Sequence, residues 1–415
     1  MQKNKSILVI SFYTNLPGSC QAEWVDDRMN ALIDKGYNIT LISSRGAFKH
    51  KKESIRHIRI PCVNPHGANS EFKEIKSRNI KINQALNLYY RAMEFIDIIV
   101  KKVGISTGEG RWNWGISGLS SLFYQHKKYS FIYTTGGPAS AHLLGILYAK
   151  LLGSKLLLEL QDPLTGKDIG RNKFSKLGLW LFEKYFVKKA DFTVYCTKNA
   201  SEFSKKNYPK YAQKIHHIYP GSYFKNSEER KSHKGRKIRI TYLGSLYATR
   251  NLTKLMKGIE ILNDEDPNYL SKFEIHLYGN IEEKILTQIN KFRHKVFIVK
   301  GLVPREKALK ESLNSDVLLL IQNTDDRSIN TIPFKTYDYL RTGRLIFGLT
   351  YKNKEIDSIL TSHNHLVSNA NDAVDISLNL KRIILNINDL KSGISVSVLT
   401  PQKAVEEMLK LVSNH

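Results

Sequence analysis

The chain has 415 residues, 64 Lys and Arg against 38 Asp and Glu (a formal charge of +26), and 41% apolar residues. That length predicts two or three domains with their own cores, and the apolar share excludes a wholly disordered chain. No apolar run reaches the ~18–20 residues of a membrane span, no signal-peptide pattern opens the chain, and Cys20, Cys62 and Cys196 lie too far apart for a disulfide framework or a zinc site.

In chain order, Ile7–Phe12 is a short apolar run that predicts a buried parallel strand. A polar turn with Pro17-Gly18-Ser19 follows. Glu23–Lys35 reads as a helix, with Trp24, Met29, Leu32 and Ile33 on one stripe and Gly36 as its stop. Ile39–Ser43 is the next strand. Strand, helix and strand joined this closely make a βαβ unit, hence a parallel sheet with helices on both faces. The pattern recurs with strand Phe131–Thr135, turn Gly136-Gly137-Pro138, helix Ala139–Leu152 stopped by Gly153, and strands Leu156–Leu160 and Phe192–Cys196.

Lys225–Arg239 is charged and aperiodic and is the best linker in the chain. The βα alternation then restarts, with strands Ile238–Leu243, Phe273–Tyr278, Val296–Val299, Val317–Ile321 and Leu345–Leu349. The expected architecture is α/β, with two doubly wound Rossmann-like domains facing each other across a cleft. The first spans 1–224, a linker 225–237, and the second 238–395; a helix within 396–415 returns toward the first. Open α/β sheets bind ligands beyond the carboxyl ends of their strands, so two facing edges suit a two-substrate enzyme.

Three segments are basic. Arg45–Lys81 holds ten Lys/Arg against three Asp/Glu, and Lys225–Arg239 seven against two. In Lys167–Lys189 the lysines alternate with Phe174, Leu177, Leu179, Trp180, Leu181 and Phe182. Solvated surface accounts for any one of them; a charge of +26 calls for an anionic neighbourhood. Nucleic-acid binding would use such lysines on phosphates, but no nucleic-acid motif is present. The anionic leaflet of a membrane, at roughly 1 kcal/mol per basic residue near the surface, is the preferred partner.

Two elements can carry chemistry. Strand Ile238–Leu243 ends in Gly244-Ser245-Leu246-Tyr247, with Arg250 ahead of a helix. A glycine turn feeding a helix N-terminus offers backbone N–H groups to an anion, although a tight turn with a surface arginine reads equally plainly. The second element is Asn330–Gly343, after strand Val317–Ile321. Asp338 would sit on the first turns of a helix with Lys335 one turn earlier, where the carboxylate can take a ribose diol and the lysine a diphosphate. The plain alternative is a capped helix with an ion pair.

Together these elements resemble the nucleotide-sugar site of GT-B glycosyltransferases, in particular glycosyltransferase family 4. The resemblance runs through Gly244–Arg250 (G-x-L-Y/F-x-x-R), Gly301-Leu302-Val303-Pro304, Ile332–Gly343 (I/V-P-x-K-x-x-E/D-Y-L-x-x-G), the opening strand with its Pro17–Ala22 turn, and Thr134–Gly153 followed by Leu156–Pro163. It implies that Asp338 binds the ribose hydroxyls and that Arg250 and Lys335 hold the diphosphate as leaving group. It further implies that Gly244, Ser245, Ile332, Pro333 and Phe334 line the donor site, that Leu302 and Val303 flank the base, and that Asp162 lies near the anomeric carbon. Gly18 and Ser19 fall on the acceptor side. His142 is the one histidine near that side, but its place inside a helix favours core packing.

The family often carries Glu-x7-Glu where this chain has Asn330 and Asp338, so the usual first-carboxylate contact to the donor sugar is missing. Gly18-Ser19 stands where a Gly-Gly pair is common, and Arg344-Leu345 where Lys/Arg-Pro is usual. No metal is expected, because no D-x-D ends a strand and Arg250 and Lys335 can neutralise a diphosphate. No cofactor is expected beyond the co-substrate, a nucleoside-diphosphate sugar built on UDP or GDP rather than ADP.

The reading is a cytoplasmic glycosyltransferase, peripheral on the inner face of the cell membrane. It would transfer a hexose-type sugar, with retention, to a lipid-linked or cell-envelope glycan acceptor. A nucleotide-sugar 2-epimerase of the same fold is the nearest alternative, and a non-catalytic lipid- or nucleic-acid-binding scaffold the more distant one.

Overall fold

The computed structural model describes residues 5–16, 19–44, 49–60, 62, 84, 87–88, 91–92, 95–96, 99, 113–124, 128–165, 173–223, 237–397 and 399–413. It divides into two units, Met1–Tyr219 with Pro401–His415, and Pro220–Thr400. The expected linker lies outside the described residues apart from Lys237.

Among the described residues of the first unit, seven parallel strands run in the order β3-β2-β1-β4-β5-β6-β7. They are β1 (Ser6–Ile10), β2 (Asn38–Ser44), β3 (Ile55–Ile60), β4 (Phe131–Thr135), β5 (Leu156–Leu160), β6 (Phe192–Tyr195) and β7 (Ile215–His217). The central strands are largely apolar because helices cover both faces; β4 and β5 are buried at every residue. Helix Cys20–Asp34 starts where the Ser19 hydroxyl accepts the Ala22 N–H at 3.3 Å, an N-cap that answers one orphan donor of the first turn. Helix Ala139–Leu152 lies so close to β4 that a Cβ on Gly145 would come 2.1 Å from Thr134 Cγ2.

Among the described residues of the second unit, six parallel strands run in the order β10-β9-β8-β11-β12-β13. They are β8 (Ile238–Leu243), β9 (Phe273–Tyr278), β10 (Phe297–Gly301), β11 (Val317–Ile321), β12 (Leu345–Thr350) and β13 (Leu366–Asn369). Helix Pro401–Ser413 packs on helix Cys20–Asp34 in the first unit, with Glu406 2.6 Å from Lys35 and Val412 O accepting from Lys155 Nζ at 3.1 Å.

Each sheet reverses its winding once, between β1 and β4 in the first unit and between β8 and β11 in the second. At such a reversal the helices diverge and leave a crevice beyond the carboxyl ends of the two strands. The expected site segments follow these strands: the loop after β1, the Gly136 turn after β4, Gly244 after β8, and Asn330–Lys335 after β11. No helix among the described residues is long and apolar enough to cross a membrane.

Candidate functional site

At the β8/β11 crevice, Tyr242 forms the floor. Its hydroxyl donates to Ser245 O at 2.9 Å, and Lys335 Nζ sits 4.0 Å above its ring while donating to Leu243 O at 2.6 Å. A carbonyl and a ring face position the ammonium at the mouth of the crevice. Gly244 makes this approach possible. Its φ is +135°, and a Cβ there would lie 2.5 Å from Lys335 Nζ.

Arg250 reaches the same floor. Its guanidinium lies 5.5 Å from the Tyr247 ring centroid and acts on the Tyr242 hydroxyl. Its Nε is buried and has no hydrogen-bond acceptor among the described residues. A buried donor without a partner is uncommon, and here it belongs to a cation beside a second cation. The next shell is pinned: Asp325 accepts from Thr249 and from Arg327 Nε at 2.8 Å. These bonds, with Arg327 the largest contributor, bring the Asp325 carboxyl down to about 2.

Asp338 has a different setting from the one expected. It is 6% exposed. Its two oxygens accept from Arg305 at 3.0 Å each and one also accepts from Ser222. Burial pushes its carboxyl above the usual range, against the pull of Arg305 and Ser222. The charge pair ties the turn after β10 to helix Lys335–Thr342. Leu302 in that turn is 82% exposed, whereas Val303 packs on the core of this unit. Ile332, Pro333, Phe334, Ser245 and Asn330 are all half-buried at the crevice.

In the first unit, Ser19 caps its helix, Gly18 lies outside the described residues, and Asp162 is exposed just beyond β5. His142 is 1% exposed, shares a 3.0 Å hydrogen bond with Thr134 Oγ1 and meets the edge of Phe186. Burial lowers its pKa to about 4. It is a core histidine and does not face an acceptor. The sequence reading missed Glu159, which is fully buried at the end of β5 and accepts from Trp24 Nε1, Arg28, Tyr133 and Thr135. One signal was available: a lone carboxylate in the run Leu-Leu-Leu-Glu-Leu requires a buried partner.

A second missed group surrounds the loop after β1. Thr14 Oγ1 donates to Asp26 Oδ1 at 2.6 Å and lies 2.9 Å from His50 Nε2. A hydroxyl has one hydrogen, so His50 Nε2 donates to it. His57 Nε2 lies 2.7 Å from Ser43 Oγ and its Nδ1 accepts the His50 N–H. Burial, with the neighbouring cations, holds His57 near pKa 3.

Both units have the fold of the GT-B glycosyltransferases. The chain is similar over 99% of its length to all of Anabaena Alr3699/HepE, determined in complex with UDP (TM-score 0.59, 11% identity). It is similar over 98% of both chains to TarM (0.62, 11%). It also matches sucrose-phosphate synthase from Thermosynechococcus elongatus over 99% of this chain and 98% of that one (0.63, 10%). At such identities the likeness is one of fold. No family model matches the chain, and no curated protein matches it in sequence.

Proposed function

We propose that the protein is a glycosyltransferase of the family 4 type that moves a hexose-type sugar from a nucleoside diphosphate, UDP or GDP rather than ADP, to a lipid-linked or cell-envelope glycan acceptor. The observation that carries this reading is the crevice at β8/β11, where Lys335, the bare backbone of Gly244 and Arg250, whose Nε has no acceptor among the described residues, meet at Tyr242. A diphosphate fits that chemistry: it would give Arg250 Nε its acceptor, face the Lys335 ammonium, and approach the start of helix Lys335–Thr342.

As the sugar leaves, negative charge grows on the diphosphate. Lys335 and Arg250 stabilise that charge, a role that a metal ion plays in other transferases. Asp338 takes the ribose hydroxyls beside its Arg305 pair, and Leu302 and Val303 flank the base. From the first unit, Asp162 is assigned to the donor sugar or acceptor, and Gly18 and Ser19 to the acceptor. The resemblance to family 4 supports metal-free transfer with retention, and the charge of +26 supports work at the inner face of an anionic membrane.

The test is a thermal-shift panel of UDP, GDP, ADP and CMP with their sugar conjugates. Saturable stabilisation by one nucleoside diphosphate is expected by mass action; no shift with any of them removes the donor site. Binding to vesicles should rise with anionic lipid and fall with salt, and equal binding to neutral vesicles would end the membrane reading.

A further inference from the structure

The segment after β8 doubles back on itself. Tyr247 N–H donates to Arg250 O and Arg250 N–H to Tyr247 O, each at 3.0 Å, which closes a hairpin with only Ala248 and Thr249 at its tip. Ala248 has a φ of +50°, a conformation that a two-residue hairpin loop demands and that is costly for any residue with a Cβ. Three contacts hold the strained tip. The Ala248 N–H donates to Glu282 at 2.9 Å, Asn251 Nδ2 to Ala248 O at 3.2 Å, and the Thr249 hydroxyl to Asp325. Strain that the surroundings hold in place collects at binding sites.

The hairpin fixes two side chains. Residues directly opposite each other across such a pair project to the same face, so Tyr247 and Arg250 stand together, the guanidinium 5.5 Å from the ring centroid. The ring is nevertheless 43% exposed, whereas Leu246 beside it is fully buried. A flat apolar surface already held in position loses little freedom when a ligand lands on it.

Contacts lead from Tyr247 into the donor crevice. Arg250 acts on the Tyr242 hydroxyl, Lys335 Nζ lies 4.0 Å above the Tyr242 ring, and Asp338 follows Lys335 by one helical turn. With the nucleoside at Asp338 and the diphosphate at Lys335 and Arg250, the group beyond the diphosphate, at the Tyr247 end, is the sugar. A pyranose carries C–H groups on its faces and hydroxyls round its edge, so a ring face suits it.

We infer that Tyr247 is the platform for the transferred hexose, the C–H face of the sugar lying on the tyrosine ring beside Arg250. The inference rests on the donor reading of the crevice and adds a residue that selects for the sugar and not for the nucleotide. Taking roughly 50 Å² of apolar surface out of water between ring and sugar is worth about eightfold in affinity. An axial hydroxyl on the packed face would hold the two apart, so the platform also discriminates among hexoses.

The experiment titrates the full chain calorimetrically with UDP, GDP, UDP-glucose, UDP-galactose and GDP-mannose, and follows the tightest conjugate beside its own diphosphate. Tyr247→Ala should weaken the conjugate at least fivefold and leave the diphosphate within twofold of wild type. Tyr247→Phe should match wild type with both, since the ring and not the hydroxyl makes the contact. In proton spectra of the bound conjugate, the ring current of wild type and of Tyr247→Phe should move hexose C–H resonances upfield, and Tyr247→Ala should not. Tyr247→Ser, at the same exposed position, repeats the test if the alanine variant melts early.

An equal loss for conjugate and diphosphate overturns the inference and makes Tyr247 a support for Arg250. A conjugate affinity indifferent to Tyr247→Ala overturns it as well, as does a loss in Tyr247→Phe equal to that in Tyr247→Ala. The two claims separate on the diphosphate: if wild type binds no diphosphate and no conjugate, the donor reading falls and the platform with it. Diphosphate binding with a conjugate that ignores Tyr247 sinks the platform alone.

Discussion

Arg250, Gly244 and Asp338 come from adjacent motifs yet do different physical work. Arg250 Nε has no acceptor among the described residues, so Arg250→Ala should lower nucleotide affinity at least tenfold and leave the melting temperature nearly unchanged. Asp338 is tied to Arg305 and Ser222. Asp338→Ala should weaken nucleotide binding by about 1–3 kcal/mol through lost charge-assisted bonds and also lower the melting temperature, because the buried pair with Arg305 and the bond from Ser222 are lost. Thermal melts with and without nucleotide read both effects; an Asp338 variant with unchanged nucleotide affinity would place that residue outside the site. Gly244→Ala combines an unfavourable φ with a contact at the lysine, so its nucleotide response should vanish.

The histidines give a pH dependence with a definite sign. Burial depresses His142 to about 4 and His57 to about 3. Below their ordinary value near 6.5 the unfolded chain takes up protons that the folded chain refuses. Stability therefore falls with acidification from about 6.5, by up to roughly 1.4 kcal/mol per pH unit for each histidine, until the folded pKa is reached. Denaturant melts between pH 7 and 4.5 should show that slope, and His142→Phe, which removes one titrating group, should flatten it.

At the scale of elements, Glu159 fastens helix Cys20–Asp34 to β4 and β5 through Trp24, Arg28, Tyr133 and Thr135. Glu159→Leu should cost about 3–5 kcal/mol, since Arg28 is left buried without its carboxylate; a urea midpoint close to wild type would show that the pair adds nothing net. Strand legibility followed position in the sheet. Interior strands β1, β4, β5, β8, β11 and β12 are covered on both faces and read directly as apolar runs. The strands that went unread, β3, β7 and β13, are all sheet edges. An edge strand such as Ile55-Arg56-His57-Ile58-Arg59-Ile60 is half solvated and carries no such run.

For the whole molecule, the chain returns: the last helix, Pro401–Ser413, belongs to the first unit although 181 residues of the second unit, Pro220–Thr400, precede it. Ala404, Val405 and Met408 are its buried face. Ending the chain at Thr400 should expose the matching face of helix Cys20–Asp34. Hydrogen exchange should then show lost protection in β1 and β2 and unchanged protection in β8–β12; an even loss over both units would mean that they unfold as one.

By itself the sequence determined the α/β class, the two doubly wound sheets and the glycine and lysine at the second crevice, because these rest on short-range patterns: apolar runs, helix stops and a turn feeding a helix. Tertiary structure decided what depends on distant partners. It buried His142 against Phe186, paired Asp338 with Arg305 and Ser222, gathered four donors on Glu159, and opened an apolar cavity between two helices and the flank of a third. A side chain's charge state and exposure are set by neighbours that only the folded chain brings together, and no local spacing encodes them.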